Sequence, residues 1–188
     1  MKSIYLLAGF TIVLIIVIFS ILYFQGQNIK KDDNQVKPTV INDYANSSAT
    51  VSYMAEGEVN ADELHRSIKI TVSKDSRTIE ILAGFQYIAI NSKSYRNTVE
   101  AYEPFLASLQ VAGFAKEKSN PKISNPEGRC PLGNKYFFTS TSIPNIPNNL
   151  WTANCSGMGT FGGNLSTIQQ LFQKQIPDYS KITSGVTL

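Results

Sequence analysis

The chain has 188 residues, 43% of them hydrophobic and 16% charged, with 17 Lys plus Arg against 14 Asp plus Glu. A net charge of +3 without a concentrated basic, aromatic-lined face excludes an ordinary nucleic-acid binder. A single histidine, His65, and two cysteines exclude most metal and acid–base constellations, because zinc sites want three or four ligands.

Residues 4–24 (IYLLAGFTIVLIIVIFSILYF) form an uncharged apolar run. As a helix it spans roughly 31 Å, close to the hydrocarbon thickness of a bilayer. Tyr5 and Tyr23–Phe24 sit at its ends, where amphipathic rings prefer the headgroup level. The run is longer than a signal-peptide core and no small-x-small cleavage site follows it. It predicts an uncleaved single-pass signal anchor in the cell membrane. Lys2 and the amino terminus favour a cytoplasmic N-terminus, while Lys30, Lys31 and Lys37 pull the other way. Long domains translocate largely regardless of flanking charge. The C-terminal part is therefore expected outside the cell membrane.

Gly9-Phe10-Thr11 resembles the start of a type IV pilin, but Leu14 stands where pilins carry glutamate, and Ile4–Ala8 is apolar where a leader would be basic. A chance tripeptide in a membrane helix is the simpler reading.

Segment 25–48 has few large apolar residues and many amides, and reads as a flexible polar stalk. The domain is expected over 49–188, about 140 residues, enough for one core. Its first strand is predicted at 50–56. Ile68, Ile70 and Val72, then Ile79 and Ile81, alternate with polar residues around Lys74-Asp75-Ser76, so 67–82 predicts a β-hairpin. FQYIAI (85–90) predicts a further, central strand. Asn97 with Glu100 suggests a capping box, and Val99, Tyr102, Leu106 and Leu109 recur at helical spacing up to Gly113. Pro104 either kinks this helix or marks a later start. Residues 115–134 read as a long loop, 135–143 and 150–155 as strands. Asn164 caps a last helix with Leu165, Ile168, Leu171, Phe172 and Ile176 on one face, and Pro177 stops it. The fold class is α+β: N-terminal transmembrane helix, flexible stalk, then a mainly antiparallel sheet with two helices and one disulfide.

That disulfide joins Cys130 and Cys155, an even minimal pair in an exported domain. Closing the loop stabilises by roughly 3.5 kcal/mol in the chain-entropy model. Gly157-Met158-Gly159-Thr160-Phe161-Gly162 matches G-x-G-x-x-G, but too little chain follows for a Rossmann domain. A tight turn is the plain reading. Gly157, Gly159, Phe161, Gly162 and Gly163 remain a candidate ligand or partner loop, and no cofactor is expected.

His65 falls in what reads as an exposed turn, with no G-x-S-x-G elbow beside a possible triad. Glu56, Glu58, Glu80, Glu100 and Glu103 could supply a glycosidase pair, though solvated or capping roles suffice for them. Trp151 and most other aromatics are core by default. In Tyr136-Phe137-Phe138 at least one ring must point away from the main core, because neighbours on a strand face opposite sides. Asn46, Asn154 and Asn164 fit the N-glycosylation pattern, which matters only in a host that glycosylates.

RTIEILAGFQ (77–86), CPLGNKY (130–136), GTFGGN (159–164) and QKQIPDY (173–179) resemble segments of small N-terminally membrane-anchored extracytoplasmic proteins of uncharacterised function from reduced-genome bacteria. The resemblance implies the location and carries no catalytic residues with it. The expected function is that of a membrane-anchored binding or interaction protein of the cell envelope, not an enzyme. Its partners would be the membrane, through residues 4–24, and another envelope protein, with no nucleic acid. The alternatives are a pilin-like or secretion-apparatus subunit, or a carboxylate-dependent wall hydrolase.

Overall fold

Alternation of apolar and polar residues builds one antiparallel sheet in this protein, seen in a computed structural model that describes residues 40–121, 123–155 and 157–188. Its strands are β1 (Thr50–Glu56), β2 (Arg66–Val72), β3 (Ser76–Ala83), β4 (Ile88–Arg96), β5 (Lys135–Thr141) and β6 (Asn149–Ala153). They lie in the order β4-β3-β2-β1-β5-β6. The helices are α1 (Val99–Ala112), α2 (Leu165–Lys174) and the single turn α3 (Tyr179–Ile182). This is the α+β arrangement expected, with the Cys130–Cys155 disulfide in place and its Cα atoms 5.9 Å apart.

Period 2 divides each strand between two faces. On one face Tyr53 pairs with Ile70 and Phe138, and Ile70 with Ile79. These residues form the main core with Tyr102, Leu106 and Leu109 of α1 and Ile168 and Phe172 of α2. Each such side chain contributes about 1.5–3 kcal/mol on burial. Phe172 joins the two layers, its ring 5.7 Å from Tyr53 and 5.3 Å from Phe105. On the other face a smaller cluster gathers Trp151, Ala153 and Cys130 against Phe137, Ile123 and Met158. Phe137 is thus the aromatic that turns away from the main core.

Local signals set the helix ends. Asn164 accepts from Thr167 N at 3.1 Å. Gly113 ends α1 with φ 78°, and Phe114 N reaches back to Leu109 O at 3.0 Å. The start of α1 differs from expectation by one residue. Thr98, not Asn97, is the N-cap, its side chain accepting from Ala101 N, while the Asn97 amide donates to Ser73 O. Pro104 lies inside α1 on its exposed side, with Ser108 Oγ donating to its carbonyl.

Two other expectations are corrected. FQYIAI is not a central strand: 85–87 form a turn, and β4 begins at Ile88 as the outermost strand, exposed along almost its whole length. Apolar content alone cannot separate a central strand from an uncovered edge. The stalk also ends earlier, because 41–44 form a 3-10 turn whose Ile41 is fully buried and donates its N–H to Gln110 Oε1. The compact unit is Thr39–Leu188. The anchor at 4–24 and the stalk up to residue 39 lie outside the described residues. Among the described residues no helix is long and apolar enough to cross a membrane.

Candidate functional site

Glu56, the last residue of β1, points to the face opposite the helices. Its rung neighbours there are Ser67 on β2 and Lys135 on β5. All three are buried. Burying a carboxylate is costly unless it is paired. Lys135 Nζ lies 2.6 Å from Glu56 Oε1, and Tyr87 OH donates to Oε2 at 2.8 Å. Tyr87 sits in the β3–β4 turn with a left-handed φ of 53°, a conformation that a bulky residue rarely adopts. Burial, then the Glu56 carboxylate, push its phenol up to about 12.

His65 belongs to the same cluster. The exposed turn expected of it is overturned: it is fully buried, its ring stacked 4.1 Å from that of Phe85. Nδ1 lies 3.0 Å from Glu58 O, and since a carbonyl only accepts, Nδ1 carries the proton. Nε2 is 4.0 Å from Glu56 Oε1, beyond hydrogen-bond reach. Sequence reasoning missed this cluster because its members are dispersed along the chain. The available signal was a glutamate and a lysine at the facing ends of two predicted strands.

Chemically the cluster is a staple. Each Glu56 oxygen already has a donor, so the carboxylate is not offered to a substrate. Of the other candidate carboxylates, Glu58, Glu100 and Glu103 are exposed and Glu80 is half-buried on β3. Among the described residues no group of three or more His, Cys, Asp or Glu could hold a metal ion.

The glycine loop has close packing to account for it. A Cβ on Gly159 would lie 2.8 Å from the Trp151 carbonyl carbon, and one on Gly162 would lie 2.9 Å from Glu117 O. Gly163 similarly faces the Gly113 carbonyl. Phe161 is buried, its ring 4.1 Å from that of Phe138. Gly157 is exposed, and its carbonyl accepts from Lys118. The loop also covers the β6 edge: Phe161 N donates to Trp151 O at 2.9 Å, and Trp151 N to Thr160 Oγ1 at 3.2 Å.

The β4 edge is the opposite case. No other described segment pairs its backbone with the outer side of β4. Among the described residues, six of the eight large exposed hydrophobics belong to β4, the turn before it and the β1–β2 loop joined to that turn; the other two are Val111 on α1 and Leu132. Phe85 and Tyr87 lie in the turn, Ile88 (61% exposed) and Ile90 (57%) on β4, and Val59 and Leu64 in the β1–β2 loop. Asp62 of that loop accepts from Phe85 N at 2.9 Å, which joins loop and turn. An open edge beside exposed apolar side chains is a template for an added strand.

No protein-family model and no curated protein matches this chain. Its geometry combines one edge covered at Trp151, one edge left open among the described residues, and a polar staple that fixes the turn beside the open one.

Proposed function

We propose that this chain is a membrane-anchored, extracytoplasmic binding protein of the cell envelope that works by contact, receiving a strand from another polypeptide at the β4 edge. The observation that carries this reading is the contrast between β6, covered by the 158–161 segment, and β4, left open beside Ile88 and Ile90. The apolar run at 4–24 and the Cys130–Cys155 pair support the location. Glu56, held between Lys135 and Tyr87, weighs against the wall-hydrolase alternative. A tether raises the effective concentration of such an edge near membrane-bound partners.

The test is a photoreactive phenylalanine derivative placed at Ile90 in the full-length chain in intact cells, with the same group at exposed Val111 of α1 as a control. A polypeptide adduct specific to position 90 supports strand capture. Equal labelling at both positions, or none at position 90, overturns it.

A further inference from the structure

The open edge is suited to one particular strand, and we propose that the occupant is β4 of a second copy of this chain, paired antiparallel about a twofold axis through Ser92. The inference rests on the strand-capture reading above and names its partner.

Edge pairing between two copies has few options here. Head-to-tail addition would need β4 of one copy to meet β6 of the next, and β6 is occupied by hydrogen bonds to Thr160 and Phe161. Only β4 against β4 remains, and that contact uses the open edge of both copies. Assembly closes at two instead of extending into a fibre.

The strand is self-complementary. Pairing centred on Ser92 sets Asn91 opposite Lys93 in the regular part of the strand. The bulge at Ile90 turns Ile88 to the helix side, so that Ile88 and Arg96 are neighbours at the ends of the pairing and not a direct pair. No like charges face each other, which in an antiparallel pair would be destabilising. The Lys93 ammonium is already engaged by Asp178 on the helix side of the sheet, so no uncompensated cation lies midway along the edge. The bulge in the β3–β4 ladder falls at Ile90, off the centre of the pairing.

Charge complementarity selects the orientation. At the Ile88 end, the loop joined to Phe85 through Asp62 carries Glu58, Asp62 and Glu63, all exposed. At the other end stand Arg96 and, across the ladder, Arg77. An antiparallel partner brings its arginine end to this copy's acidic loop, and symmetry repeats the contact. Attraction over about one Debye length, ~10 Å at 0.1 M salt, acts at both ends. A parallel partner would set arginine beside arginine.

The test uses the full chain with Ser92→Cys, which adds one thiol to a described region whose two cysteines are bonded to each other. Mild oxidation is expected to give a disulfide-linked dimer, and Ser108→Cys on exposed α1 is expected to give none. Adding Arg96→Glu should lower the dimer yield, and adding Glu63→Arg to that variant should restore it. Absence of the Ser92→Cys dimer, while the group at Ile90 captures a different polypeptide, overturns this inference and leaves strand capture standing. Absence of both overturns both. Equal crosslinking at Ser92→Cys and Ser108→Cys, as expected of copies joined only through the anchor, also overturns it.

Discussion

The Tyr87 hydroxyl donates to Glu56 Oε2 at 2.8 Å, tying the β3–β4 turn to the end of β1 across a sequence separation of 31 residues. This bond holds the turn that leads into the open edge strand. Replacing Tyr87 with Phe removes a hydrogen bond to a buried carboxylate, worth about 1.5–3 kcal/mol, at the low end here because the ring is part-exposed. Urea denaturation at neutral pH should show that loss. An unchanged midpoint would mean that the bond does not hold the turn.

Alkaline pH gives the same contact an independent readout. The Tyr87 phenol is pushed up to about 12, and burial likewise raises those of Tyr53 and Tyr102. An unfolded tyrosine ionises near 10. A folded value above the unfolded one means that the stabilisation is complete below about pH 10 and is lost as pH rises through the folded values. Stability should therefore hold to about pH 10 and fall progressively above it. Phenolate absorbance of the native protein should trail that of the denatured chain over the same range.

Lys135 pairs with Glu56 at 2.6 Å with both side chains buried. Lys135→Met leaves the carboxylate without its cation and should cost about 3–5 kcal/mol. The double variant Glu56→Gln with Lys135→Met should recover part of that loss, because no uncompensated charge remains. Chemical denaturation of the two variants decides the matter. A double variant less stable than Lys135→Met alone would contradict the assignment.

Gly159 and Gly157 both have positive φ, 95° and 57°, but only Gly159 has backbone where a Cβ would go. Gly157→Ala should cost about 1–2 kcal/mol, the strain of a left-handed conformation. Gly159→Ala adds a clash with Trp151 and should cost more, on the order of 3 kcal/mol. Thermal denaturation ranks the two. Equal losses would remove the close-packing account of this loop.

Reduction of Cys130–Cys155 releases the loop that covers Trp151, whose indole donates to Ser124 O at 2.6 Å. The loss should approach the roughly 3.5 kcal/mol of loop entropy, accompanied by a red shift of Trp151 fluorescence as the ring meets water. Reduction that leaves both melting and fluorescence unchanged would show that the bridge does not support this cluster.

The sequence by itself determined what depends on near neighbours. Alternation assigned Ile68, Ile70 and Val72 to one face of β2, and Asn164 and Gly113 marked helix ends through caps built within a few residues. The cysteine pair followed from count and setting. Only the tertiary structure decided which strand lies outermost and which polar residues meet. FQYIAI is apolar enough for a sheet centre, yet among the described residues β4 has a neighbour on one side only, because strand order is set by long-range pairing and not by composition. His65 lies among the charged residues Asp62, Glu63 and Arg66 in sequence and is buried because the β3–β4 turn lays Phe85 over it, and Glu56, Lys135 and Tyr87 converge only when β1 has β5 beside it.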